Sequence, residues 1–181
     1  MLDMEFDEGL RIIASLMEIS AKTAPKGKGV DAIVTRTLVR EELESVAVRM
    51  EEMGEELGFP FFKRDAASIR SSGACVLIGC RGNEVAGLNC GACGKDTCSE
   101  LFEHVQNTKN LFGPNCAIRV TDLGIAIGSA VKTASIHNVD NRILFSAGGV
   151  ALSLHLLPGC TLAYAIPLSV SAKNIFFDRA G

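Results

Sequence analysis

A chain of 181 residues with 48% hydrophobic and 22% charged residues is sized and balanced for one compact domain, residues 1–181, with a substantial buried core. Its formal net charge of −3 and pI near 5.6, with no basic run interleaved with aromatics, argue against a nucleic-acid partner. No apolar stretch reaches the roughly 20 residues of a membrane span, and the acidic residues 1–10 lack the positive charge that opens a signal peptide, so no membrane association and a cytoplasmic location are expected.

Residues 7–23 place Leu10, Ile13, Leu16, Met17 and Ser20 at helical spacing, and Pro25 marks the stop. The basic turn Pro25-Lys26-Gly27-Lys28-Gly29 follows. Lys26 and Lys28 are candidates to hold a phosphate through charge and backbone N–H groups, with a solvated loop as the simpler reading. β-Branched residues predict a strand over 31–39. Leu43, Val46, Met50 and Met53 line one face of a helix over 40–57, closed by Gly58 and Pro60.

Residues 74–79 read as a short buried strand. A helix is expected over 99–111, broken by Gly113-Pro114-Asn115. Over 120–135, Gly124 and Gly128, with Ala126, Ala130 and Ala134, recur at near-helical spacing and predict a buried helix that neighbouring backbone approaches closely. Another helix is expected over 142–157, a strand over 161–166, and an irregular tail over 169–179 anchored by Phe176 and Phe177. Helices and strands alternate without βαβ repeats or glycine fingerprints. The expected fold is therefore mixed α+β, a largely antiparallel sheet covered by helices, with a cysteine-rich loop. A mean hydropathy of +0.26 suggests extra buried surface, such as a homodimer interface.

Seven cysteines without a secretion signal point to metal or catalytic use rather than a disulfide framework. Four of them form the spacing Cys90-x2-Cys93-x4-Cys98, followed by Cys116, within segment 88–118. A [4Fe-4S] cubane needs one thiolate per iron, and three closely spaced cysteines can wrap three corners while a distant fourth closes the site. Gly91 and Gly94 suit such a loop, because glycine takes positive φ and turns N–H groups inward. A structural zinc site is the rival, although its usual signature is two short knuckles; free thiols are the third reading. Cys75 and Cys80 stand an odd number of residues apart on one strand, so they face opposite ways and read as packing, as does Cys160.

A polar cluster, Lys132, Thr133, Ser135, His137, Asn138, Asp140, Asn141 and Arg142, lies between two apolar helices. It is a candidate pocket lining in which His137 supplies a proton beside a redox centre. Turn formation and capping explain the same residue types. Asp122 reads as a helix cap, His104 as a surface residue and His155 as a packed one.

The segment Leu88-Asn89-Cys90-Gly-Ala-Cys93-Gly, with Cys98 and Cys116, resembles a four-cysteine 4Fe-4S domain. The stretches 122–135, 137–142 and 166–179 resemble uncharacterised prokaryotic proteins described as containing a ferredoxin domain, a likeness that spans nearly the whole chain. That resemblance implies a cluster and names no reaction. The order helix, basic turn, strand, small-residue helix, helix and strand ending in Ile166-Pro167-Leu168-Ser169 is similar to the nitroreductase-like flavin fold. In place of that family's arginine-rich flavin motif stands Ala24-Pro25-Lys26-Gly27-Lys28-Gly29. The resemblance makes FMN a second candidate cofactor, with Lys26, Lys28, Lys132, His137, Asn138 and Arg142 as its candidate ligands.

Three functions compete: an electron carrier or redox subunit serving a partner protein, a flavin- or cluster-dependent reductase acting on a small molecule, and a structural zinc protein. A simple carrier does not need about 150 residues beyond its cluster loop, since short chains hold one or two clusters.

Overall fold

The computed structural model describes residues 4–103, 106–108 and 111–177. Helix α1 (Met4–Thr23) leads through a 3-10 turn (Gly27–Gly29) into β1 (Ile33–Val39). Then come α2 (Glu41–Leu57), α3 (Phe61–Arg70) and β2 (Ala74–Cys80). After the cysteine loop, a two-stranded ribbon pairs β3 (Gln106–Thr108) with β4 (Leu111–Gly113). The chain closes with α4 (Ala117–Ile136), β5 (Asp140–Asn141), α5 (Phe145–Ser153) and β6 (Leu162–Ser169). The main sheet is wholly antiparallel in the order β1-β2-β6-β5. This is the mixed α+β architecture expected from the pattern of elements.

Strand β2 is buried at every position because both faces of the sheet are covered. Strand alternation sends Cys75 and Leu77 to one face, where they pack with α2, α3 and α5. Val76, Ile78 and Cys80 go to the other face, against α1 and α4. Cys75 and Cys80 thus lie in different cores, as their odd separation predicts. Within each helical layer, polar side chains tie neighbouring helices together: the Ser20 and Thr133 hydroxyls of α1 and α4 meet at 2.6 Å. Ser146 of α5 donates to Asp65 of α3 at 2.7 Å. No helix among the described residues is long and apolar enough to cross a membrane.

Several elements differ from expectation. Helix α3 is an addition to the expected elements, beginning directly after the Gly58 and Pro60 that close α2; Phe62, Asp65, Ala66 and Ile69 form its buried face. In place of a helix over 99–111 there is a 3-10 turn (Ser99–Phe102) and then the β3–β4 ribbon; Asn107 and Thr108 are poor helix formers. His104 lies outside the described residues.

The helix expected over 142–157 shrinks to α5. Leu144 pairs instead with Ala165 of β6, and His155 stands exposed beyond the helix end at φ 55°. Helix α4 is half-buried. Ala126, Ala130 and Ala134 face inward, whereas Gly124 and Gly128 face outward with nothing near them. In the tail, Phe176 is the anchor, and Phe177 is 64% exposed beneath the Arg142 guanidinium.

Because β2 feeds alternate side chains to both cores, the two cores should melt together. Leu77→Ala and Ile78→Ala, one in each core, are each expected to lower stability by about 2–5 kcal/mol. Urea denaturation followed by far-UV circular dichroism should show a single transition shifted in both variants.

Candidate metal centre

The cysteine loop springs from the end of β2 and is fastened at its root. The Arg81 N–H donates to Ala32 O at 3.0 Å. The Gly82 N–H donates to Thr161 Oγ1 at 2.9 Å, and Thr161 Oγ1 donates to Asn115 Oδ1 at 2.5 Å. Gly82 O in turn accepts the Cys116 N–H at 2.8 Å. A Cβ at position 82 would lie 2.0 Å from Asn115 Oδ1, so any larger residue there must displace the Asn115 side chain. This node joins the stretch carrying Cys90, Cys93 and Cys98 to the turn carrying Cys116.

Within the loop, Gly91 and Gly94 take φ of 71° and 80°, the positive values expected of them. Asn89 is left-handed as well, at φ 47°, a conformation asparagine tolerates. Its Oδ1 accepts the Cys98 N–H at 2.8 Å, and its own N–H donates to Cys98 Sγ at 3.4 Å. Ala86, Leu101 and Cys116 form a small apolar core of their own, with Val85, Cys93, Phe102 and Ile118 packed around it.

All four cysteines line one concavity walled by Ala86, Leu88, Leu101 and Ile118. Cys90 is exposed at its rim, Cys93 and Cys98 are half-buried, and Cys116 is 6% exposed at its base. Among the described residues, no three His, Cys, Asp or Glu side chains converge on a point where a single ion would sit.

Cys116 is the N-cap residue of α4. Burial alone would push its thiol up. The backbone N–H groups of Ala86, Arg119 and Ile118, joined by the Arg119 charge, outweigh burial and hold it below the ordinary thiol value. Cys75 and Cys80 show the opposite balance, since burial pushes each to about 12. Cys160, raised by burial to about 11, packs against Gly79.

Beside Cys116 lies a group that the sequence did not single out. Arg119 is 1% exposed. Its Nε donates to Glu84 O at 2.9 Å, and its Nη1 to Val30 O and Asp122 Oδ2, both at 3.0 Å. Asp122 is not a helix cap; it sits inside α4, and its Oδ1 accepts the Gly27 N–H at 2.8 Å. The sequence signal for this pair is a basic and an acidic residue three positions apart, on one face of the helix.

This contact revises the phosphate expectation for the basic turn. The anion held by the Gly27 N–H is the chain's own Asp122 carboxylate. Lys26 Nζ donates to the carbonyls of Ala21, Lys22 and Ala24 at 3.0, 2.6 and 2.8 Å, capping the end of α1 with its side chain 4% exposed. Lys28 is exposed at φ 61°.

The polar cluster at the far end of α4 does mostly structural work. His137 is the C-cap of α4, and Asn138 turns the chain at φ 55°. Arg142 donates to Phe176 O at 2.6 Å and so pins the tail. Lys132, His137 and Asn138 are exposed.

Comparison with known proteins fits this architecture. The family described as uncharacterized proteins containing a ferredoxin domain (DUF2148) matches residues 112–179. An uncharacterized protein of Archaeoglobus fulgidus is 44% identical over 174 residues, 96% of this chain and 94% of its own. The chain belongs to this ferredoxin-domain family.

Among solved structures, a BluB-like flavoprotein from Clostridium difficile superposes with a TM-score of 0.57 at 16% identity, covering 94% of this chain and 84% of the other. The hypothetical oxidoreductase YcnD of Bacillus subtilis superposes at 0.52 with 12% identity over 91% of this chain. The chain spans about three fifths of that protein's length (59%). The fold is nitroreductase-like.

Thiol chemistry should sort the cysteines by these environments. In metal-free protein at pH 8, iodoacetamide is expected to modify Cys90 first and Cys93 and Cys98 next. Cys75, Cys80 and Cys160 should react only after unfolding, as peptide mass spectrometry would report.

Proposed function

We propose that this protein carries one [4Fe-4S] cluster on Cys90, Cys93, Cys98 and Cys116 and works in electron transfer or as a component of a reductase. The observation that carries this reading is the gathering of four thiols, from two distant stretches of chain, around one concavity. Membership of a ferredoxin-domain family supports it. A zinc site fits less well. Thiolates at about 2.3 Å from one tetrahedral ion must converge on a point, whereas each corner of a cubane takes its own thiolate.

Such a cluster, when bound, accepts and returns an electron at low energetic cost. The chain's own residues prepare the site for that charge. The backbone N–H groups of Ala86, Arg119 and Ile118 favour the charged form of Cys116, and the Asn89 N–H donates to Cys98 Sγ at 3.4 Å. Donors of this kind stabilise negative charge on sulfur. Leu101 and Ala86 keep water from the base of the concavity. Exposed Cys90 and the 47% exposed Leu88 leave its rim accessible to a partner protein or small molecule.

A flavin-binding reductase is the second reading, favoured by the likeness to a BluB-like flavoprotein. Lys26 is committed elsewhere in the chain and does not serve as a phosphate ligand in it.

Anaerobic purification with visible and EPR spectra before and after dithionite, together with iron, sulfide and zinc analysis, tests the proposal. About four irons and four sulfides per chain, with a broad band that bleaches on reduction, are expected of a cubane; bound FMN would add its own absorbance. Serine at position 90, 93, 98 or 116 should abolish or sharply reduce iron content, while Cys160→Ser leaves it unchanged. One zinc per colourless chain would overturn the reading.

A further inference from the structure

A fully buried guanidinium one helical turn from a candidate ligand invites a functional explanation. Arg119 draws its acceptors from the 27–30 turn, from Glu84 in the cysteine loop and from Asp122 on its own helix. Glu84 lies two residues before Ala86, which packs against Cys116. Cys116 in turn opens the helix that carries Arg119. One side chain therefore ties the loop wall beside the fourth thiol to the helix that presents it. Asp122 anchors that side chain and takes the Gly27 N–H with its second oxygen.

We infer that Arg119 and Asp122 are positioning residues for the proposed cluster: they hold Cys116 toward the other three thiols, and their opposite charges bias its reduced state in opposite senses. The inference rests on the cluster reading above and extends it to residues that touch no iron. Neither charge is shielded by water, since the two side chains are 2% and 4% exposed. Reduction adds one negative charge beside them. A buried cation stabilises that charge and a buried anion opposes it, most effectively where water is excluded.

The consequence separates this role from a merely structural one. If the pair only held the fold together, breaking it from either side would have the same effect. A pair that also sets the electrostatics of the site must respond oppositely. Arg119→Met removes the cation and should lower the midpoint potential. Asp122→Asn removes the anion, keeps an oxygen for the Gly27 N–H, and should raise it. Arg119→Lys keeps the charge but cannot reach all the carbonyls. It should hold a potential closer to wild type than Arg119→Met does, while releasing iron to a chelator about 10-fold faster than wild type, the usual scale for losing a support of a metal ligand.

The experiment is a redox titration of anaerobically purified full-length protein, followed by EPR, with iron-release rates measured on the same samples. Wild-type iron and sulfide content is measured first; a wild type without a cluster defeats the cluster reading, and this inference with it. If wild type is loaded, opposite shifts in Arg119→Met and Asp122→Asn support the inference. Shifts of the same sign, or none, overturn it while leaving the cluster in place. Should Arg119→Met fail to load, Asp122→Asn and Arg119→Lys decide: an unchanged or lowered potential in Asp122→Asn overturns the inference, as does wild-type iron retention in Arg119→Lys.

Discussion

A guanidinium taken out of water brings five N–H donors and a charge that it cannot shed. At 1% exposure, Arg119 imposes that demand on everything around it. The acceptors come from segments that are remote in sequence: the carbonyls of Gly27, Val30 and Glu84 and the carboxylate of Asp122. Leaving such a charge unpaired costs about 3–5 kcal/mol, so the 27–30 turn, the start of the cysteine loop and the first turns of α4 must assemble together. The turn after α1 can then be neither a free loop nor an open anion site. Its backbone is committed to one side chain, and its Lys26 to the end of the preceding helix.

Where the signal was local, the fold was legible in the sequence. Helices α1 and α2 show their apolar faces, and Gly58 ends α2 in the left-handed conformation at φ 69°. The apolar run of β2 and the parity of Cys75 and Cys80 were likewise readable, because strand geometry fixes which face each residue takes. The grouping of four cysteines was visible in their spacing, and those four line one concavity. What failed depends on partners far away in sequence. Helix α3 owes its existence to burial against α2 and α5, with Asp65 tied to Ser146. The residues before α5 stay out of the helix because Leu144 bridges to Ala165. Asp122 looked like a cap until Gly27, 95 residues earlier, supplied its N–H.

The four thiols are graded rather than equivalent. Cys116 is set in backbone N–H groups at the head of a 20-residue helix that packs on the sheet, while Cys90 stands at the rim on a loop turned by glycines. One end of the site is therefore built on rigid structure and the other is presented outward. Such an arrangement suits a centre that must hold its geometry yet be reached from outside.

The apolar residues that close the site, Ala86, Leu101 and Cys116 with their neighbours, form a core separate from the two that flank the sheet. None of the four thiols is needed to cover β2 or to seat α1 on α4. Scaffold and candidate site are thus distinct in this molecule. On the proposed cluster reading, the sheet and helices would stand before iron and sulfide arrive, and loss of the cluster to oxygen would leave behind an intact shell open to repair rather than a chain bound for degradation.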